Sequence, residues 1–159
     1  MVYRRSAGLK IVAYVDSDWC MKNSTAGWCA NIAGGPVLFA SKKEKCVSLS
    51  STEAEIIAAS MAACDIIYVR MLLELMGLAC EGPTVLFVDN QGVVDLSRDP
   101  MSTTSMKHVK RRHFFVREAQ AMGEILVLPV ASADNVSDVL TKALKNPRFG
   151  ALCRLMRGG

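Results

Sequence analysis

Acidic residues that directly follow apolar runs are the strongest chemical signal in this 159-residue chain. Asp16 comes after the run Ile11 to Val15, and Asp89 comes after the run Val85 to Val88. Such runs predict buried strands, and the carboxyl ends of neighbouring parallel strands form a crevice where ligands bind. If these two strands are adjacent, the two carboxylates face each other in that crevice.

Three further acids could reach the same place. Glu53 and Glu55 lie in the first turns of a predicted long helix, and Asp138 lies near the start of a later one. Carboxylates this close together repel each other, and they stay ionised in a partly dry site only when divalent cations neutralise them. Oxygen ligands suit Mg²⁺ or Mn²⁺, and two ions about 3.5–4 Å apart can hold the attacking and leaving oxygens of a phosphodiester. The pattern therefore predicts metal-dependent phosphodiester hydrolysis.

Each acid alone also has a structural explanation. Asp16 or Asp89 could be a turn residue at the end of a strand. Glu53 could complete a capping box with Ser50, and Asp138 could favour a helix N-terminus through its charge. A shared site is favoured because all of these acids occur at compatible places in one topology.

The order of predicted elements supplies that topology. The elements span Leu9 to Val15, Ala26 to Ala33, Pro36 to Ser41 with an extension around Cys46 to Leu49, Ala54 to Met76, Thr84 to Val88, Asn90 to Leu96, Lys107 to Met122, Glu124 to Val130, Val136 to Leu144 and Phe149 to Met156. Alternation indicates the strands, and a capping box indicates the start of the long helix. We expect an α/β fold in which a three-stranded antiparallel meander and two parallel strands form one mixed sheet flanked by helices.

Composition indicates one domain with a substantial apolar core, since 51% of the residues are hydrophobic. No stretch of eighteen apolar residues lacks charges and turn signals, and no secretory signal is present, so we expect no membrane contact and an intracellular location. The six cysteines form no Cys-x-x-Cys pair and are expected to be reduced, small buried hydrophobes. The net charge of +4 is mild, but the segment from Lys107 to Arg117 contains five basic residues and no acid. That segment predicts either a nucleic-acid-binding patch or a solvated helix face.

Short motifs accompany the acids in a fixed order. They are Tyr14-Val15-Asp16-Ser17-Asp18-Trp19, Ser24-Thr25-Ala26-Gly27-Trp28, Ser41-Lys42-Lys43, Leu49-Ser50-Ser51-Thr52-Glu53-Ala54-Glu55, Val88-Asp89-Asn90-Gln91, Lys107-His108-Val109, Phe115-Val116-Arg117-Glu118 and Ser137-Asp138-Val139-Leu140-Thr141-Lys142. Together they resemble the ribonuclease H domain of copia-type long-terminal-repeat retrotransposon polyproteins. The likeness runs from about Leu9 to Phe149. It implies a domain over residues 9–159, preceded by a leader or by the end of another polyprotein region over residues 1–8.

The resemblance implies a two-metal endonuclease that cuts the RNA strand of RNA/DNA hybrids during reverse transcription, with a reverse transcriptase domain as its partner. Its location would be the cytoplasm, inside a virus-like particle, or the nucleus. It implies Asp16, Glu55, Asp89 and Asp138 as the catalytic, metal-binding acids, with Mg²⁺ as the cofactor and Mn²⁺ as a substitute. In the family pattern the second glutamate of Glu53-Ala54-Glu55 is the ligand, which leaves Glu53 to the capping role. Spacing alone does not decide between these two glutamates.

Recognition of a hybrid is expected to rest on shape, because 2′-hydroxyls mark the RNA strand while basic side chains hold the phosphates. The residues expected to contact nucleic acid are Lys42, Lys43, Asn90, Gln91, Lys107, His108, Lys110, Arg111 and Arg112. Affinity is expected to fall steeply with salt.

Two other functions stay open. The sequence Asp16-Ser17-Asp18 after an apolar strand also fits phosphatases in which the first aspartate is the nucleophile, although the meander and Cys20 do not fit that class. The other alternative is a module with the same fold that holds a hybrid duplex without cutting it.

Overall fold

A five-stranded sheet forms the centre of the computed structural model, which describes residues 9–45, 47–98 and 110–158 without the side chains of residues 110, 111 and 113. The strands are β1 Ile11–Asp18, β2 Thr25–Ile32, β3 Gly35–Lys43, β4 Thr84–Val88 and β5 Ile125–Pro129. Their order across the sheet is β3-β2-β1-β4-β5. The first three strands pair antiparallel, whereas β4 lies parallel to both β1 and β5. The predicted α/β fold with a mixed sheet is confirmed.

The helices are α1 Ser51–Leu75, α2 Gln91–Arg98, α3 Lys110–Ala121, α4 Asp138–Thr141 and α5 Arg148–Met156. The long helix α1 begins at the predicted capping box. The Ser50 hydroxyl accepts a hydrogen bond from the backbone of Glu53 at 3.1 Å, and the Glu53 carboxylate accepts one from the backbone of Leu49 at 2.7 Å. The side of α1 that faces the sheet is rich in buried alanines, whose small side chains allow close packing on β1. This packing fixes the start of α1 beside the end of β1.

Among the described helices, α1 alone is long and apolar enough to cross a membrane. Of its most apolar 18-residue stretch, 56% is buried inside the protein. The core helix of a globular domain has the same length and composition. These properties of α1 are therefore weak grounds for a membrane span.

The first and third strands differ from the predicted bounds. The prediction that β1 ends before Asp16 was wrong, because Asp16, Ser17 and Asp18 continue the ladder with residues 25–27 of β2. The third strand runs on to Lys43 for the same reason, since its end also pairs with β2. The predicted extension around Cys46 to Leu49 was wrong for residues 47–49, which are not strand, and Cys46 lies outside the described residues.

The predicted helix from Val136 to Leu144 is a single turn in the structure, α4. The Asn135 carboxamide accepts hydrogen bonds from the backbone and hydroxyl of Ser137, and this local turn competes with a helix at that point. Lys142 then adopts an extended backbone, which ends the turn. Residues 107–109 of the predicted basic helix lie outside the described residues.

The five described cysteines are free thiols, but they are not all buried. Cys29 in β2 is 1% exposed, and burial raises the pKa of its thiol to about 12. Cys20 and Cys64 are exposed. The expectation of a small buried hydrophobe is therefore confirmed for Cys29 and wrong for the two exposed residues.

Candidate active site

Three carboxylates meet at one end of the sheet. Asp16 lies in β1, Asp89 directly follows β4, and Glu55 lies near the start of α1. One oxygen atom from each side chain lies within 4.8 Å of an oxygen of each of the others. The parallel pairing of β1 with β4, which continues to the residues just before the two aspartates, places Asp16 and Asp89 side by side. The structure thus brings together three of the four acids that the family resemblance implies.

The side chain of Glu55 shows why this group fits a metal ion. Glu55 is 5% exposed, and its Oε1 accepts a hydrogen bond from the backbone of Ser17 at 3.1 Å. Its Oε2 is buried and has no hydrogen-bond partner in the described part of the chain. A buried carboxylate oxygen without a partner is costly, and a divalent cation shared with the two aspartates would satisfy it. The donor set of three carboxylates fits Mg²⁺ or Mn²⁺.

Without a bound cation, the electrostatic environment of the three carboxylates favours a proton on one of them. Burial, and then the charges of Asp16 and Asp89, raises the pKa of Glu55 to about 9. Burial also raises the pKa of Asp16, although hydrogen bonds from Thr141 and Lys142 oppose that shift. At neutral pH the metal-free site therefore holds a proton on Glu55.

The stability of the metal-free protein is expected to fall as the pH rises from about 4.5, the ordinary value for Glu55, to about 9. Across that range the folded state keeps a proton on Glu55 that the unfolded chain has lost, so each rise in pH favours unfolding. Mg²⁺ is expected to stabilise the protein more strongly at the upper end of the range, because it binds the deprotonated carboxylate. Thermal denaturation in chelator and in Mg²⁺ measures both trends. A pH slope that persists unchanged in Glu55→Gln would contradict the assignment to Glu55.

Asp138, the fourth predicted acid, lies beside the group of three rather than within it. Its side chain is 2% exposed; one oxygen accepts a hydrogen bond from Lys142 Nζ at 2.8 Å, and the other accepts one from the Arg148 guanidinium. Lys142 Nζ also donates to Asp16 at 3.0 Å, so one ammonium group joins the two acids. Partial burial alone would lower the pKa of Lys142, but Asp138 and Asp16 outweigh it and raise that pKa.

A glycine lets α4 approach the sheet closely enough to form these contacts. A Cβ atom on Gly27 would lie 2.6 Å from Thr141 Cγ2 and 2.8 Å from Leu140 Cβ. Gly27 pairs with Asp16 across the sheet, so α4 lies directly over that aspartate. The Thr141 hydroxyl consequently reaches the Asp16 carboxylate and donates a hydrogen bond to it.

The substitution Gly27→Ala is expected to lower the free energy of unfolding by about 1–3 kcal/mol, because an added methyl group forces α4 away from the sheet. Chemical denaturation measures the effect. Gly150→Ala is the matched control, since its Cβ would approach no atom closer than 3.9 Å. An unchanged stability in Gly27→Ala would contradict the close contact.

Comparison with known proteins shows what this chain is similar to. The chain matches no protein-family profile. It is 32% identical over 149 residues to a retrovirus-related Pol polyprotein from transposon TNT 1-94 of Nicotiana tabacum, an alignment that covers 91% of this chain and 11% of that protein. It also resembles RNase H1 from the halophilic archaeon Halobacterium salinarum NRC-1, with a TM-score of 0.64, 18% identity and coverage of 83% of this chain and 94% of that chain. The chain has a ribonuclease H-like fold and is homologous to one segment of retrovirus-related Pol polyproteins.

A second solved structure has the same fold as this ribonuclease H-like domain. LC11-RNase H1, in complex with RNA/DNA hybrid, is 13% identical with a TM-score of 0.63, covering 83% of this chain and 94% of that one. Identities this low support the fold alone. The domain spans about a tenth of the length of the polyproteins that it matches.

Four residues around the acids of the ribonuclease H-like domain had no role assigned from the sequence. Asn135 is fully buried, and its Nδ2 donates to a backbone carbonyl of β1 at 3.0 Å, which ties the loop before α4 to the sheet. Thr141 and Lys142 belong to the motif that contains Asp138, and that proximity was the available signal. Arg148 lies ten residues beyond Asp138, and no local pattern connects the two.

Two of the predicted nucleic-acid contacts lie at the end of β3. The register of the meander places Lys42 and Lys43 at the same end of the sheet as the acids, two strands away from β1. Lys42 Nζ lies 4.9 Å from the ring centroid of the buried Trp28, a cation–π contact that orients its side chain. Lys43 is exposed. Both lysines therefore lie at the end of the sheet that holds the acids.

The other residues predicted to contact nucleic acid differ in their exposure and hydrogen bonding. Asn90 caps α2, since its Oδ1 accepts a hydrogen bond from the backbone of Gly92 at 2.9 Å. Gln91 is exposed and donates a hydrogen bond to Asp95 on the same helix at 2.7 Å. Arg112 on α3 is half-buried. The predicted contacts outside the described structure are Lys107, His108 and the side chains of Lys110 and Arg111.

Proposed function

We propose that this domain hydrolyses the RNA strand of RNA/DNA hybrids with divalent ions held by Asp16, Glu55, Asp89 and Asp138. The observation that carries the proposal is the group of three carboxylates within 4.8 Å of one another, two of them buried. The buried Glu55 oxygen without a hydrogen-bond partner also supports the proposal, because a bound cation would satisfy that atom. The relatedness to Pol polyproteins supports a role in retrotransposon reverse transcription.

The residues of the domain would hold the ions in a fixed place. Divalent ions, when bound, would supply the charge stabilisation that phosphodiester hydrolysis needs. The backbone of Ser17 orients the Glu55 carboxylate, and the two strands fix Asp16 and Asp89. Packing at α4 places Asp138 at the edge of the same crevice. Rigid positioning of this kind lowers the reorganisation needed during the reaction.

The surroundings of the acids support a duplex substrate. Lys42 and Lys43 lie two strands from Asp16, about 10 Å away, which corresponds to about three nucleotides along one strand of a duplex. They would hold backbone phosphates while the scissile phosphate lies at the acids. LC11-RNase H1, which shares the fold, was solved in complex with RNA/DNA hybrid, and we propose the same class of substrate for this domain. The reverse transcriptase of the same polyprotein would supply the hybrid, in a cytoplasmic particle or in the nucleus.

Cleavage of an end-labelled RNA/DNA hybrid tests the proposal. In Mg²⁺ the domain is expected to shorten the RNA strand of the hybrid, to leave DNA duplex intact and to stop when a chelator is added. The assay is repeated with the polymerase region of the polyprotein present, so that a need for that partner is detected. Binding of the hybrid without cleavage in Mg²⁺ and Mn²⁺, with and without the polymerase region, would overturn the proposal in favour of the binding module.

A further inference from the structure

We propose that Lys142 is a built-in cation for the Asp16–Asp138 pair, so that without nucleic acid the domain binds one divalent ion rather than two. This inference rests on the proposed function, because it assigns the order in which the proposed ions bind. The first ion would bind at Asp16, Glu55 and Asp89. The second would bind only after Lys142 has left the carboxylates.

The contacts of Asp138 and Asp16 support this order. Lys142 Nζ lies 2.8 Å from Asp138 and 3.0 Å from Asp16, and both carboxylates are almost fully buried. The second oxygen of Asp138 is taken by Arg148, and the second oxygen of Asp16 by the Thr141 hydroxyl. A second ion that uses Asp138 must therefore displace a protein donor. Glu55 Oε2 accepts no hydrogen bond in the described part of the chain, so a first ion at Asp16, Glu55 and Asp89 has to compete with these donors only at Asp16.

The balance of charge leads to the same conclusion. The four acids carry four negative charges when ionised, while Lys142 and Arg148 provide two positive charges at Asp138. One divalent ion neutralises the two negative charges that remain. A second ion would give the buried site an excess of two positive charges, the departure of Lys142 would reduce that excess to one, and a bound phosphate would neutralise the rest.

Lys142 is able to move in the way the inference requires. Its side chain is 37% exposed although its two partners are buried, so the ammonium lies at the mouth of the site. A lysine carries its charge on a flexible stem, and a phosphodiester of a bound strand offers it another partner. Binding of the hybrid would then draw Lys142 away and open the second ion position.

Titration of the metal-free domain with Mn²⁺, followed by calorimetry and by the electron paramagnetic resonance of unbound Mn²⁺, tests the inference without nucleic acid. The parent domain is expected to bind one ion tightly and a second only weakly. Lys142→Met is expected to bind two, because the affinity for the second ion rises by about 10- to 100-fold. Lys142→Arg keeps the cation and is expected to bind one ion. Lys145→Met removes an exposed lysine from the same segment and is also expected to bind one.

Each outcome distinguishes the inference from the proposed function. Two ions of similar affinity in the parent, or one ion in both the parent and Lys142→Met, would overturn the inference and leave the proposed metal site intact. No ion in any variant would overturn the metal site itself, and the inference with it. Circular dichroism checks the folding of each variant. Lys142→Gln, which keeps a hydrogen-bond donor without the charge, replaces Lys142→Met if that protein fails to fold, with the same expected result.

Discussion

Glu55→Gln is expected to abolish hybrid cleavage and, at the same time, to make the metal-free protein more stable above neutral pH. The carboxamide cannot ionise, so it removes the repulsion from Asp16 and Asp89 that helps to raise the pKa of Glu55 to about 9. It also removes a metal ligand. A loss of about 4 kcal/mol of transition-state stabilisation lowers the rate by about 1,000-fold. Single-turnover cleavage in Mg²⁺ and thermal denaturation in chelator measure the two opposite effects.

Glu53→Gln is the matched control, because Glu53 is also 5% exposed and lies two residues away on α1. Its carboxylate accepts a hydrogen bond from the backbone of Leu49, so the substitution weakens the helix cap by about 1 kcal/mol or less. Cleavage is expected to continue at nearly the parent rate. Loss of cleavage in Glu53→Gln together with activity in Glu55→Gln would reverse the assignment of the two glutamates.

Most of the fold could be predicted because each element carries a local signal. The capping box at Ser50 marks the start of α1, and the two glycines at residues 34 and 35 mark the hairpin between β2 and β3. The end of β1 could not be predicted in this way. Polar residues usually end a strand, but residues 16–18 remain in the ladder because β2 is there to pair with them. Pairing between distant segments, rather than local composition, decides where such a strand stops.

The residues of the site also fall into those that local sequence predicts and those that depend on long-range contacts. The meeting of Asp16 with Asp89 could be predicted, since both follow from the ends of adjacent strands. The choice of Glu55 over Glu53 came from the family resemblance, and the structure shows the physical difference between their hydrogen-bond partners. The bridge from Lys142 to Asp16 spans 126 residues of sequence and leaves no local pattern. Roles that depend on long-range geometry become visible once the chain is folded.

Asp89→Asn is expected to separate binding from cutting. Asp89 is half-buried, and no described residue donates a hydrogen bond to its side chain, so the change should alter stability by no more than about 0.5 kcal/mol. Loss of this ligand is expected to reduce cleavage by about 1,000-fold, as for Glu55. Binding of the hybrid should persist or tighten, since one negative charge near the phosphates is gone. Fluorescence anisotropy measures binding, and a labelled RNA strand reports cleavage.

Asp95→Asn provides the same change of charge at an exposed position on α2 and is expected to cut at the parent rate. Equal cleavage by Asp89→Asn and the parent would remove Asp89 from the metal site. Cleavage lost from both aspartate variants would show that overall charge, and not a ligand at one position, controls the rate. Only a loss confined to Asp89→Asn, with the hybrid still bound, is the result expected of a nuclease whose ions are held at the ends of β1 and β4.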